Sequence, residues 1–590
     1  MVSNFLISFL LLCSNFVGAD INLNPIQLTK MEQQDLLKEL NDNYQFDIKE
    51  NMVKKQIMSK HYHSDLSTGI VHDVLQSFKY AKKLLLIDDI QMRERACNVL
   101  WKVLSLQTKD QQSKYSGVWP YHLEEPLSRK ESPVDYNWAD FCSVELIGVL
   151  CNSEKVLSAD LKDEILFSLK LAADRIIERN VGLSYTNIAL MDIYVTYMVG
   201  NILKDEKIVD YGKDKLYRFK TYTENNHGFV EYNSPAYLPV CLDLLKLMKD
   251  HFRNDEDLKV VNFLYSFGWE ILALHFHAPS GQWAGPNSRS YSDLSGRNLY
   301  SLLYDATSGK VALASNLVGR KPYEINHSMP EELLSYFLDP IYPKTENDVF
   351  DATDNPVEGT TYMNEKFVVA STNRSSLWNQ RRPLIIHWGT PQNPSYFRVR
   401  FLRNMYDFAA ANLFCAQDST NVLAAINFAV NGGRSHISID RIRNGKFSAN
   451  DLRLRFEFGG ENRDFAYQKL NTKGTYRRLV TVNGNRFIID IPYMSFIENI
   501  KESEIVENQG IKYIDFIFYS GKEKEFDLLN MNEAVMAFLV SVNGNEDITN
   551  PVYNIDDTYF TVKWNDKEVM VLKKPAMEKE INVKYKIINK

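Results

Sequence analysis

The stretch Thr223-Glu224-Asn225-Asn226-His227-Gly228-Phe229-Val230-Glu231-Tyr232-Asn233-Ser234-Pro235-Ala236-Tyr237 crowds amides, an imidazole, carboxylates and two phenols into one loop, then runs into a helix. Ser234 can accept from the free amides of a first turn, and Pro235 suits the first helical position. Tyr237 therefore falls in the first turn, with His227, Glu231 and Tyr232 just outside it. Counting backward from Ser234, comparable helix starts stand at Thr186 and Asn137, 48 and then 49 positions apart. That interval is close to the known helical-hairpin repeats. An array of such hairpins that closes on itself makes an α/α toroid, and one that stays open makes a solenoid. In either form, equivalent helix starts lie on one rim.

The pattern extends on both sides. Apolar residues recur at three- and four-residue spacing over 70–86, 92–106, 138–150, 161–179, 187–203, 235–252 and 258–274, which predicts helices from about residue 30 to about 340. Beyond about residue 345 the period changes to two. Strands are predicted over 367–369, 396–402, 422–428, 436–439, 452–458, 486–491, 513–519 and 559–564, punctuated by Asn431-Gly432-Gly433, Asn444-Gly445 and Asn483-Gly484. The expected chain is a leader at 1–19, an N-terminal α/α toroid of helical hairpins over 20–345, and a C-terminal antiparallel β sandwich over 346–590. Its 590 residues exceed what one core sustains, which agrees with two domains.

Residues 1–19 read as a secretory leader, with an apolar run over 5–12 and the small residues Val17-Gly18-Ala19 before a cut at Asp20. The run is too short to span a bilayer, and no later stretch is long enough. A protein secreted or held in the secretory-pathway lumen follows, without an integral membrane segment. After loss of Cys13, the cysteines Cys97, Cys142, Cys151, Cys241 and Cys415 are odd in number and widely spread, so at least one thiol stays free and no disulfide scaffold is expected. Asn326-His327-Ser328 and Asn373-Arg374-Ser375 are glycosylation acceptors for a eukaryotic secreted chain. A net charge of -7 argues against nucleic-acid binding, so an anionic ligand needs a local basic patch.

The chemistry narrows by exclusion. No HExxH, CxxC, P-loop or GxSxG pattern occurs, and the pair His275 and His277 at a helix end reads as a C-terminal cap rather than a metal site. Neither a metal nor another cofactor is expected. The loops on the predicted rim are polar and aromatic: 135–140 with Trp138 and Asp140, 184–187 with Asn187, 223–237, and 281–291 with Trp283 and Arg289. Two reactions on a sugar polymer suit them. A glycoside hydrolase needs two carboxylates across the scissile bond, for which Glu124, Glu125, Asp140 and Glu231 are candidates with no pair singled out. A uronate lyase needs an amide or imidazole to neutralise the sugar carboxylate, a base for the C5 proton and an acid for the leaving oxygen.

An Asn starting one helix, an Asn-His pair about one repeat later, a Tyr shortly after and an Arg beyond, in such an architecture, resemble the uronate polysaccharide lyases of the alginate, chondroitin and heparinase type. The resemblance implies that Asn187 or Asn226 neutralises the carboxylate. His227 would be the base or a second neutraliser, and Tyr237 or Tyr232 the proton-handling phenol. Arg289 would hold the carboxylate or the phenolate, lowering the phenol's pKa from about 10. Glu231 departs from that pattern and keeps the hydrolase reading open. Asn226, Trp138, Asp140, Trp283 and Trp119 are the candidate substrate-binding residues, the indoles as stacking platforms, and the expected partner is an acidic polysaccharide. A third reading is a secreted glycan-binding protein without chemistry. Arg381-Arg382, after Trp378, reads as an exposed charged turn in preference to a lining of the interface with the β domain.

Overall fold

The computed structural model describes residues 25–59, 63–317, 320–432, 442–472, 475–497, 500–503, 505–544 and 548–589. The leader read at 1–19, the strand read at 436–439 and Gly433 lie outside them. A helical part precedes an antiparallel β part, with successive helices as far as Ser335–Leu338, long strands from Lys344–Asp351 onward and one short helix, Glu578–Ile581, near the end of the described residues. Packing divides the chain differently: 223–239 and 267–319 cluster with the β part, while 240–266 and 320–327 cluster with the helices before Tyr222. The boundary expected at 345 follows secondary structure, not packing.

The helical unit begins with α1 (Lys30–Asn43), opened by a capping box between Thr29 and Glu32. A small antiparallel sheet follows, of Gln45–Asp47, Met52–Ile57 and Gly69–His72. Residues 70–72, read as helical, are thus a strand. Asp73 ends it and caps α2 (Val74–Leu84), accepting from Gln76 N at 2.9 Å. Then come α3 (Ile90–Ser105), α4 (Trp138–Ser153), α5 (Ala159–Arg179), α6 (Thr186–Leu203), α7 (Glu206–Asn225), α8 (Leu238–His251) and α9 (Asp255–Leu274). Successive helices pack as hairpins, with α2, α4 and α6 in one row and α3 and α5 in another. Every residue of α6 from Thr186 to Ile202 is buried, which is what a helix apolar on all sides requires. Asn180 and Lys204 end α5 and α6 in the left-handed conformation.

This unit holds a buried acid pair. Asp140 on α4 is 1% exposed, hydrogen-bonded to Asp192 on α6, and Lys215 on α7 is ion-paired with Asp192. Burial, then the negative charge of Asp192, push the Asp140 carboxyl well above the carboxylate range, so Asp140 carries the proton of the pair. The expected substrate contact for Asp140 is corrected on this ground: it is interior. Folded Asp140 holds its proton more tightly than the unfolded chain does. The native state is therefore favoured at low pH and loses stability as pH climbs above about 3.9 toward the raised folded value. Asp140→Asn keeps a donor toward Asp192 and removes this titration. The drop in unfolding temperature between about pH 5 and about pH 8 is expected to shrink in the variant, and equal drops would show that Asp140 does not titrate there.

In the β unit, strands within the described residues form a ten-stranded and a seven-stranded sheet, with a four-stranded sheet made by the strands from Val552 onward. One large core draws Phe397, Phe401, Phe456 and Phe458 from the first sheet and Leu413, Ile426, Phe487 and Phe538 from the second. Alternate residues of the second sheet, such as Phe414, Leu423 and Leu539, turn to a separate core shared with Phe560, Val562 and Val571. Asn483-Gly484, with both residues at positive φ, makes the expected two-residue hairpin turn between Thr475–Val482 and Asn485–Ser495.

Candidate active site

The polar loop belongs to the β unit and is tied at both ends. Its first residues close α7: Gly228 N donates to Thr223 O at 3.0 Å, and His227 takes the left-handed conformation at φ 52°. The Asn-His pair therefore ends the preceding helix instead of starting the next. Asn226 Oδ1 accepts from Ala352 N at 3.3 Å, and the His227 side chain is exposed. At the far end Ser234 acts as expected. Its Oγ accepts from Tyr237 N at 3.2 Å, and its carbonyl accepts from Leu238 N at 3.0 Å, where α8 begins.

A second segment lies against this loop. Ser288 N donates to Tyr232 O at 3.1 Å, Asn287 Nδ2 to Asn233 O at 2.7 Å, and Ser234 Oγ to Arg289 O at 2.8 Å. On its other side, Asn287 and Arg382 exchange backbone hydrogen bonds of 3.1 and 2.9 Å, and Ser290 N donates to Gln380 O at 2.6 Å. The segment is thereby sewn between the loop and the residues before Leu384–Gly389.

Arg289 is the hub of the site. Its Nε donates to Gln380 Oε1 at 2.8 Å, Nη1 to Glu231 Oε1 at 3.1 Å, and Nη2 to Tyr237 Oη at 2.9 Å. The guanidinium also lies over two rings, 4.8 Å from the Tyr237 centroid and 5.0 Å from that of Trp378. Its side chain is 14% exposed and that of Glu231 9%. Desolvating such a pair requires that most donors be satisfied, and three directed bonds do this. Tyr237 Oη shares a second hydrogen bond, 2.7 Å long, with Tyr291 Oη.

Burial pushes the Tyr237 phenol far above its ordinary value; Arg289 pulls it down, while Tyr291 and Glu231 push it further up. The lowered phenol pKa expected beside Arg289 is therefore not the resting condition. The phenol is therefore neutral at rest, with the Arg289 guanidinium beside it as the one group among the named causes that favours its phenolate.

Of the residues expected at the site, the structure brings Glu231, Tyr237 and Arg289 together. Tyr232 is turned away: its ring stacks on Phe350 with centroids 3.8 Å apart, and burial raises its phenol. Trp283, 2% exposed, and Trp119, 1% exposed with Nε1 donating to Val103 O at 3.0 Å, are core side chains. Burial corrects their expected sugar-stacking role. Trp138 is half-buried in the helical unit against Tyr121, and Asn187 lies there in the first turn of α6. Asn187 Oδ1 is buried with no hydrogen-bond partner among the described residues.

Sequence reasoning missed Gln380, the Trp378 ring against the Arg289 guanidinium, and Tyr291. Arg382 is not in an exposed turn: it is 4% exposed and ion-paired with Asp293. Asp293 also accepts from Arg398 Nη1 at 2.8 Å, and Arg398 Nε continues to Glu457 at 2.9 Å. Burial opposes the charge of Glu457, but Arg398 and Arg400 hold its carboxyl at about 2. This ladder fixes the segment that carries Arg289 and Tyr291. His275, as expected, caps a helix end, its Nδ1 meeting Ile271 O at 3.0 Å, while Nε2 meets Asp348 at 2.8 Å. Among the described residues no group of three or more His, Cys, Asp or Glu suits a metal, and the five cysteines are free. Asn326 is exposed, whereas the Asn373 amide donates to Pro356 O at 3.0 Å.

A cavity of about 320 Å³ opens beside the hub, lined among others by Pro235, Tyr291, Ser292, Ser295, Arg297 and Asn298.

Residues 46–329 match a family described as a domain of unknown function, DUF8769. No curated protein sequence matches the chain. Solved polysaccharide lyases are similar in structure: heparinase III, with 10% identity over 97% of this chain and 95% of that chain at a TM-score of 0.41. The chondroitin AC lyase of Streptomyces coelicolor A3 in complex with chondroitin sulphate is similar at 9% identity over 85% and 80%, with a TM-score of 0.44. A heparan sulfate lyase mutant from Pedobacter heparinus is similar at 10% identity over 92% and 89%, with a TM-score of 0.34. Among the described residues no helix is long and apolar enough to cross a membrane.

Proposed function

We propose that the chain is a secreted polysaccharide lyase that cleaves a uronate-containing polysaccharide by β-elimination. The observation that carries this reading is the Tyr237 hydroxyl, held at 2.9 Å by Arg289 Nη2 and at 2.7 Å by a second phenol. Elimination needs a proton delivered to the leaving oxygen while the C5 proton is removed, and a neutral phenol with a cation behind it suits that delivery. His227, exposed on the same unit, is the proposed base, and the carboxylate-neutralising amide remains Asn187 or Asn226, as the resemblance implies. Secretion rests on the leader read at 1–19.

The hydrolase reading is weaker at Glu231 and Asp140, two of its candidate acids. Glu231 Oε1 is committed to Arg289, and Asp140 is interior. Glu231 is better placed as the counter-ion that holds the guanidinium in position.

The reading is tested by incubating the protein with chondroitin, heparan, hyaluronan and alginate and following ultraviolet absorbance. A 4,5-unsaturated uronate absorbs, so absorbance rising with chain scission is the expected result. Scission without absorbance would replace elimination by hydrolysis.

A further inference from the structure

Tyr291 is, at 68% exposed, the open member of the phenol pair, and it lines the cavity beside the hub. Tyr237 is half-buried, with its hydroxyl already engaged by Arg289 and Tyr291. A sugar seated in this cavity meets the Tyr291 side chain, and the proton of Tyr237 reaches it across the 2.7 Å contact. The Tyr291 ring meets that of Tyr237 edge-on with centroids 6.2 Å apart. The segment beneath it, by contrast, is anchored through Ser290 to Gln380 and through Asp293 to Arg382 and Arg398. A rigid base with an open phenol at its tip is the arrangement expected of a group that touches substrate.

We propose that Tyr291 is a catalytic residue of the elimination, passing the proton of Tyr237 to the leaving oxygen; the assignment rests on the lyase reading above. The C4–O bond breaks and its electron pair stays on the oxygen, which takes the Tyr291 proton. Tyr291 takes the proton of Tyr237, and the phenolate on Tyr237 is stabilised by Arg289. The C5–H bond breaks in the same step, its proton passing to the base and its electron pair forming the C4–C5 double bond. The base then returns a proton to Tyr237 through solvent and Tyr291, so no further reactant is consumed.

The test compares wild type and Tyr291→Phe on two substrates, a natural acidic polysaccharide and a uronoside carrying a nitrophenyl ether at C4, whose leaving group needs no proton. Removing a general acid lowers rates by about 10²- to 10⁴-fold. Tyr291→Phe is expected to lose at least about 100-fold in kcat on the polysaccharide, with KM within about threefold. On the nitrophenyl ether it is expected to match wild type. Equal losses on both substrates, or no loss on the polysaccharide while wild type is active, would overturn the role of Tyr291 and leave the lyase reading standing. A wild type that releases no unsaturated product from either substrate overturns both. Because the ring is exposed and Phe preserves it, the unfolding temperature is expected to stay unchanged.

Discussion

Tyr237→Phe is expected to reduce turnover of an acidic polysaccharide by at least about 10³-fold while the protein stays folded. The variant removes one oxygen. Arg289 keeps its bonds to Glu231 and Gln380 and its place over the aromatic rings, so its charge remains compensated. Loss of one hydrogen bond to a charged group costs about 1.5–3 kcal/mol at most, a small change for a chain with two large cores. Chemistry suffers far more, since that oxygen supplies the proton on which protonation of the leaving group depends. Unfolding temperature and kcat measured on one preparation separate the two effects. A variant that keeps more than about a tenth of wild-type kcat would remove Tyr237 from the reaction.

Arg289→Ala is expected to fail in both respects. The guanidinium compensates a Glu231 carboxylate that is 9% exposed, and removing one partner of a buried pair costs about 3–5 kcal/mol. It also removes the cation that stabilises a Tyr237 phenolate. Arg289→Lys is expected to recover stability in part but little activity, because an ammonium cannot reach Gln380, Glu231 and Tyr237 with directed donors. The double variant Arg289→Ala with Glu231→Gln removes the buried charge as well, so stability is expected to return without activity. Thermal unfolding and turnover of the three variants check this pattern. Recovery of activity in the double variant would mean that Arg289 only balances Glu231.

The hairpin array was legible because each helix carries both its period and its caps. The stretch read at 138–150 became Trp138–Ser153, and 187–203 became Thr186–Leu203. Helix Glu206–Asn225 was missed: its apolar positions are interleaved with many lysines and acids, and burial of Ile208, Leu216 and Phe219 on one face decides it. The small sheet before Asp73 escaped because Gly69–His72 is too short to show a period. At the candidate site, the crowding of residue types in 223–237 marked the loop that carries Glu231 and Tyr237 to Arg289. It did not distinguish Tyr237 from Tyr232, since that choice is made by Phe350, more than a hundred residues away, which takes the ring of Tyr232. Gln380, Trp378 and Asp293 reach Arg289 or its segment only through tertiary packing, and no local pattern announces them.

The most direct measurement is the mass of the fragment from the reducing side of the cut, whose new terminal sugar is the uronate, when wild type acts on a defined uronate oligosaccharide. β-Elimination gives a terminal sugar one water lighter than the hydrolytic product, and this lighter fragment should disappear with Tyr237→Phe. A fragment that carries the added water, or a light fragment whose yield is indifferent to Tyr237, would contradict elimination at the Arg289–Tyr237 site.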